Sequence, residues 1–405
     1  MQRWTSDVFI SADSGMEIPV LDFEVYRLGE NVTDEKLTEL SRDLRTAFTD
    51  VGFVYLKNTG IAQDEIDDIM KISKNFFLLP EDVKIPLSRT SDTYNHGWVG
   101  LETERLNPSR PGDLKEAFNI TCLHPDAAWP AEEVVPGFRK TFESFFMRCK
   151  DLSLHVLRVM ALSLDIDVDI FVNSHKSIGS STNGSTLRVL YYPQVRGEMV
   201  KERQLRCGEH SDYGSISLVF QDSKGGLQVK SRSGEYIDAP AIPGTVLINI
   251  ADLMQRWTSD VFISAKHRVM LPPPGDTSTR QSLVFFAQPG DDIIITCCDG
   301  SKKYPPVKTG DYFLERFNET RAFVRSSTDV GREGLARGLR TDSSQRCSVQ
   351  ASQVPPHQTR SSMSLWTLLC ALVRSQCWIR KGPSPNCSHN VGSMKLSRMA
   401  LNAAA

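Results

Sequence analysis

Apolar residues recur at helical spacing in three stretches of the first half of the chain. Leu37, Leu40, Leu44 and Phe48 mark one helix face, and Ile66, Ile69, Met70, Phe76 and Phe77 mark a second, stopped by Pro80. A third face runs through Phe142, Phe145, Phe146, Cys149, Leu152, Val156 and Val159, predicting a helix from 138 to 164. IPVLDF (18–23) and FVYL (53–56) read as short strands. The polar stretch 91–111, with its Gly, Asn and Pro, predicts a long loop.

The period changes after residue 186. LRVLYY (187–192), SISLVF (215–220), LQVK (227–230), VLINI (246–250), VFIS (261–264), HRVML (267–271), LVFFAQ (283–288) and IIIT (293–296) are short β-rich runs. Gly225-Gly226, Ser233-Gly234, Pro243-Gly244 and Pro289-Gly290 punctuate them. Closely spaced short strands with such turns predict an antiparallel barrel or jelly roll. TGDYFLERFNET (309–320) predicts a closing helix.

Composition changes the picture at the two ends. The 405 residues carry a net charge of −2, with 40% hydrophobic and 24% charged residues. Residues 324–405 hold eleven Lys and Arg against three acids, a net of +8, which leaves −10 on the rest. This tail is Ser-rich, carries four of the nine cysteines, and is expected to be disordered. Residues 1–12 and 254–265 are the same twelve letters, MQRWTSDVFISA, and the first copy reads as a duplicated fragment, also expected to be disordered. The expected organisation is therefore 1–12 as duplicate, 13–130 as an N-terminal α/β region, 131–323 as helix plus catalytic β core, and 324–405 as tail. The near-neutral total argues against a nucleic-acid partner, and no apolar run reaches membrane-spanning length. With no secretory signal and no cysteine framework, the cytoplasm is the expected compartment. Nothing in the sequence speaks to oligomeric state.

The chemistry concentrates in the β-rich half. His210 and Asp212 stand two apart, so on a strand they share a face. His267 follows 55 residues after Asp212, and Arg280-Gln281-Ser282 begins 13 residues beyond that. Two imidazoles and one carboxylate form a facial set for non-haem Fe(II) with three positions open. Arg280 and Ser282 share a strand face and suit a carboxylate, which a guanidinium binds through two parallel hydrogen bonds.

This order resembles the isopenicillin N synthase-like family of iron- and 2-oxoglutarate-dependent dioxygenases. IPVLDF (18–23), GFVYLKNTGI (52–61), GDLKEAFNI (112–120), LRVLYYP (187–193), GGLQV (225–229) and INIADLMQRWTSD (248–260) are similar to it as well, so the likeness covers about 17–320. The resemblance implies an α+β protein with a mainly β core: a double-stranded β-helix, or jelly roll, with N-terminal and flanking helices. It implies Fe(II) on His210, Asp212 and His267, and 2-oxoglutarate on Arg280 and Ser282 with Tyr192 in support. Some plant relatives carry Asn where this chain has Leu190, so no cosubstrate contact is expected there.

The implied reaction consumes O2 and 2-oxoglutarate, releases succinate and CO2, and oxidises a small molecule, typically by hydroxylation. Alternatives are an iron oxidase of the same fold that does not consume 2-oxoglutarate, or an inactive binding protein from an aberrant transcript. The substrate is not readable. Asn95, His96, Trp98 and Arg105, in the polar stretch before the core, are its candidate contacts.

Overall fold

In the computed structural model the described residues are 17–24, 34–89, 95–107, 109–121, 127–195 and 197–317. The duplicate 1–12 and the tail 324–405 lie outside them.

The first elements in chain order are β1 (Val20–Asp22), α1 (Asp34–Asp50), β2 (Phe53–Lys57), α2 (Gln63–Phe77) and α3 (Glu81–Lys84). They are followed by β3 (Gly97–Val99), β4 (Glu116–Ile120), α4 (Phe138–Ser163) and α5 (Val168–His175). The β-rich half then holds β5 (Thr186–Tyr192), β6 (Cys207–His210), β7 (Ile216–Gln221), β8 (Leu227–Lys230), β9 (Tyr236–Asp238) and β10 (Thr245–Ile250). Last come α6 (Asp252–Trp257), β11 (His267–Val269), β12 (Arg280–Ala287), β13 (Ile294–Ile295) and β14 (Val307–Lys308). Residues 309–317 are helical, as expected for the closing helix.

The strands form an eight-stranded sheet, in the order β1-β2-β10-β7-β12-β5-β4-β3, and a four-stranded sheet, β6-β11-β8-β9. All pairs in both sheets are antiparallel except β1 with β2. The two sheets do not close into one hydrogen-bonded barrel; they make a jelly-roll sandwich with two cores.

Alternation decides which side chain enters which core. Leu187, Val189 and Tyr191 of β5, Leu283 and Phe285 of β12, and Leu218 and Phe220 of β7 point outward. There they meet the apolar stripes of α1, α2 and α4, including Leu44, Phe76, Phe142 and Val156. Each such aromatic or aliphatic side chain contributes roughly 1.5–3 kcal/mol on burial. Leu190 and Tyr192 of β5, Tyr55 of β2 and Leu247 of β10 point inward, against Cys207, Leu227, Val229 and Val269 of the smaller sheet. The functional groups described below share this inner face.

Two expectations of local structure need correction. The stretch 91–111 contains a strand, β3, which pairs with β4 in register Trp98 to Phe118. A three-residue strand leaves too short a pattern to be read. VFIS (261–264) is not a strand: it follows α6 through turns, with Ser259 and Asp260 at positive φ. Its Phe262 is buried against Phe48, with ring centroids 5.7 Å apart. The aromatic and β-branched letters that suggest a strand serve a packed turn instead.

Candidate metal and cosubstrate site

β6 and β11 lie side by side with His267 opposite His210. Their rings are 4.3 Å apart between centroids. Asp212 lies two residues beyond the end of β6, outside the strand proper. Asp212 Oδ1 is 3.8 Å from Nε2 of His210 and 3.8 Å from Nε2 of His267. One ligand atom from each of the three lies within 4.8 Å of the others, a separation one metal ion can span.

The surroundings settle which atoms are free. His210 Nδ1 is 2.8 Å from the Gly208 carbonyl, and His267 Nδ1 is 3.3 Å from the Ala265 carbonyl. A carbonyl only accepts, so Nδ1 carries the proton in both rings and Nε2 keeps its lone pair. Ser217 Oγ donates to Asp212 Oδ2 at 2.6 Å and Asn249 Nδ2 donates to the same oxygen at 2.8 Å. That leaves Oδ1 facing the two Nε2 atoms. Burial works to raise the Asp212 carboxyl, but His267, His210, Ser217 and Asn249 outweigh it and hold it low. Burial, with the neighbouring His210, lowers His267 to about 4. A carboxylate and a neutral imidazole are the states a divalent iron needs. Phe53 packs edge-on to His267 at 5.5 Å and fixes the ring. The donor set therefore fits Fe(II).

Arg280 and Tyr192 face each other across β12 and β5. Arg280 is 1% exposed and its guanidinium lies 4.8 Å from the Tyr192 ring centroid. Nε donates to the Gly225 carbonyl at 2.8 Å, and the two Nη atoms donate to Gln221 Oε1 at 2.8 Å and Ser282 Oγ at 3.2 Å. Gly225 and Gly226 both have positive φ, 68° and 88°, and this tight turn carries the Gly225 carbonyl that Arg280 uses. Three of the five guanidinium donors are engaged and no carboxylate pairs with the charge among the described residues. A buried cation with two donors to spare fits an anionic ligand such as the distal carboxylate of 2-oxoglutarate.

A cavity of about 170 Å³ opens beside His210 and Asp212. Of the four substrate candidates from the polar stretch, Asn95 and Arg105 line it, whereas His96 and Trp98 do not. The reason is the course of the chain at β3, which turns His96 and Trp98 to the outer core. His96 lies against Phe118 and Trp129 with Nε2 3.0 Å from the Ala128 carbonyl, and Trp98 donates to Glu116 Oε2 at 2.8 Å. Tyr192 and Arg280 lie apart from this cavity, while Leu190, where no cosubstrate contact is expected, is in its wall.

Several cavity groups carry no sequence motif. Glu104 holds Arg188 with both carboxylate oxygens, Arg89 at 3.1 Å and Lys115 at 3.8 Å. Burial alone would raise Glu104, but those three cations outweigh it and hold the carboxyl far below its usual range. Arg89 also donates to Asn95 Oδ1 at 3.0 Å. Asn119 Oδ1 is buried without a partner among the described residues. Tyr213 and Phe286 add aromatic surface. Cys207, also in the wall, is pushed up to about 12 by burial and stays a thiol, with Sγ 4.0 Å from Nδ1 of His210, the nitrogen that does not face the metal position. A charged Arg188 inside an otherwise apolar strand is a usable signal for this network; its partner 84 residues away is not.

Comparison with known proteins identifies the family. Residues 18–136 match the family described as non-haem dioxygenase in morphine synthesis N-terminal, and residues 183–289 match the 2OG-Fe(II) oxygenase superfamily. The chain is 32% identical over 305 residues to the 2-oxoglutarate-dependent dioxygenase htyE of Aspergillus rugulosus, covering 69% of this chain and 90% of that one. It is 32% identical over 295 residues to the proline hydroxylase buaE of Petromyces alliaceus, covering 69% and 90%. The crystal structure of a full-length Neurospora crassa protein in complex with alpha-KG and thymine superposes with a TM-score of 0.68 at 32% identity, covering 76% of this chain and 99% of that one.

Proposed function

The chain belongs to the isopenicillin N synthase-like branch of the 2-oxoglutarate/Fe(II) oxygenase superfamily, and from that premise we propose which residues perform its reaction and on what. It is an Fe(II)- and 2-oxoglutarate-dependent dioxygenase that oxidises a small molecule. His210, Asp212 and His267 are the proposed iron ligands, and Arg280 and Ser282 the proposed clamp for 2-oxoglutarate, with Tyr192 as its aromatic support. Bound together, iron, 2-oxoglutarate and O2 supply the oxidising power, with succinate and CO2 as co-products.

The protein's own part is orientation and exclusion of water. Ser217 and Asn249 aim Asp212; Gly208 and Ala265 aim the imidazoles. Arg280 anchors the far end of the cosubstrate, and the buried walls keep the reacting centre dry.

The proposed substrate is a planar cyclic amide of the pyrimidine-base type. The observation that carries this is the pairing, in one cavity wall, of an orphaned acceptor with the remaining N–H donors of a Glu104-held guanidinium and aromatic faces. Asn119 Oδ1 calls for a substrate N–H, Arg188 offers donors to a ring carbonyl, and Tyr213 and Phe286 suit a flat ring. The Neurospora crassa complex with thymine supports the same class. Arg105 favours a second reading, an amino-acid substrate of the kind named for buaE, because it lines the cavity and makes no ion pair among the described residues. Succinate release and oxygen uptake measured with thymine, uracil and proline decide between them. Stimulation by a pyrimidine base is expected; stimulation by proline alone overturns the first reading. The same assay carries the cosubstrate assignment, since oxygen uptake without succinate contradicts it.

No helix among the described residues is long and apolar enough to cross a membrane. The four described cysteines are free, which supports a reducing compartment, and the cytoplasm is the proposed one.

A further inference from the structure

A second arginine stands beside the proposed clamp without a function. Arg206 immediately precedes β6 and is 2% exposed, as buried as Arg280. Its guanidinium lies 6.0 Å from the Tyr192 ring centroid, on which Arg280 also converges at 4.8 Å. Its one side-chain hydrogen bond among the described residues runs from Nη2 to the Ser278 carbonyl at 2.8 Å, and its Nε is buried with no partner there.

Two buried guanidiniums beside one phenol ring are unfavourable by themselves. Burial and then the Arg280 charge both work against the charged form of Arg206. The acids nearest in influence, Asp222 and Asp276, are spent elsewhere. Asp222 accepts from the Gln281 backbone N–H at 2.6 Å and Asp276 from that of Ser278 at 2.7 Å, and neither pairs with Arg206. A neutral residue would hold the Ser278 carbonyl equally well. The charge therefore calls for a negative partner that the described residues do not supply.

We infer that Arg206 and Arg280 together bind the distal carboxylate of 2-oxoglutarate, Arg206 being a specificity-determining residue that selects a dianionic 2-oxo acid over a monoanionic one. The inference rests on the reading of Arg280 and Ser282 as the cosubstrate clamp. A carboxylate has about four acceptor sites, enough for the two spare donors of Arg280, one donor of Arg206 and the Ser282 hydroxyl. With the anion in place, two repelling cations become two ion pairs around one charge. A 2-oxo acid that lacks the distal carboxylate leaves that repulsion standing.

The test titrates the full-length, Fe(II)-loaded protein calorimetrically, without oxygen, with 2-oxoglutarate and with 2-oxobutyrate, which lacks the distal carboxylate. Arg206→Gln keeps a donor for Ser278 and removes the charge. It is expected to raise the Kd for 2-oxoglutarate about tenfold or more, the loss of a charge-assisted hydrogen bond, and to leave 2-oxobutyrate within about twofold. Unchanged 2-oxoglutarate affinity, or an equal loss for both acids, overturns the role of Arg206. If that variant does not fold, Arg206→Lys keeps the charge without the fork. It is expected to weaken 2-oxoglutarate about threefold with 2-oxobutyrate unchanged, and an equal effect on the two overturns the inference. Arg280→Met separates the two levels. Full 2-oxoglutarate affinity in Arg280→Met contradicts the clamp itself, whereas its loss there with none in the Arg206 variants contradicts only the second arginine.

Discussion

Asn249 Nδ2 donates to Asp212 Oδ2 at 2.8 Å, and this bond decides which oxygen of Asp212 is left for a metal. With Ser217 on the same oxygen, Oδ1 alone faces the two imidazole nitrogens. Replacing Asn249 by Ala leaves the carboxylate free to rotate. Iron affinity is expected to fall about 10- to 100-fold, the usual cost of losing such a supporting bond, with the fold retained. Metal titration alongside circular dichroism checks this. Unaltered iron affinity shows that Ser217 suffices.

Glu104 is the counter-ion for three cations at the cavity wall. Glu104→Ala takes the buried carboxylate from Arg188, leaves Lys115 to Asp113 at 2.5 Å, and is expected to destabilise the protein by about 3–5 kcal/mol. Because Arg188 loses its anchor, the variant should also lose substrate-stimulated succinate release while its affinity for 2-oxoglutarate stays as it was. Loss of 2-oxoglutarate affinity in parallel with succinate release places Glu104 in the cosubstrate site instead.

Acid should destabilise the iron-free protein. His96 and His175 are both held neutral, near a pKa of about 4, with burial the leading cause in each. Unfolded, each takes its proton near pH 6.5. Between about pH 6.5 and 4 the unfolded chain thus binds protons that the folded one refuses, so stability falls as pH falls, by up to about 1.4 kcal/mol per pH unit for each group. Above that window their contribution is flat. Urea midpoints at pH 7, 6 and 5 report it. His175 bridges the Phe171 carbonyl and Ser215 Oγ at 2.7 and 2.8 Å and does not line the cavity, so His175→Gln should reduce the slope. A midpoint constant from pH 7 to 5 contradicts the prediction.

A chain of residues 13–323 lacks both the duplicate and the basic tail. It is expected to bind iron and 2-oxoglutarate as the full chain does, because every group assigned to them lies between 192 and 282. Loss of iron on trimming would bring the tail into the working machinery.

The three iron-ligand candidates and the arginine-serine pair are legible because they are widely spaced letters in a fixed order. Asn249, Ser217 and Gln221 leave a fainter trace: a polar residue inside VLINI, or inside and at the end of ISLVFQ, interrupts an otherwise apolar strand without saying what it touches. For His210 and Asp212 the two-residue step brings the pair together although β6 ends at His210 and Asp212 lies past the strand. His96 and Trp98 read as loop residues, but a three-residue strand sets their direction, outward with Phe118. Arg206 is silent in the sequence, since only the fold shows that it shares a ring with a residue 74 positions later.

The inner face of the large sheet acts as a ruler. Ser217, at one end of β7, touches Asp212, the proposed iron-ligating carboxylate, and Gln221, at the other, touches Arg280, the proposed clamp. They stand two pleats apart, about 13 Å of strand. Arg188, Leu190 and Tyr192 repeat the same two steps on β5, from the cavity beside Asp212 to the ring against which Arg280 packs. The separation between the metal position and the carboxylate clamp is therefore written into backbone repeat units and not into loops. Lengthening or shortening β7 by one residue would turn Gln221 to the helical side and disconnect the two ends. Changes at Asn95 or Arg105, outside the strands, leave the measure untouched. On the proposed assignments, substrate contacts and oxidising centre are thus set by separate parts of the chain, one in connecting segments and one in strand repeats.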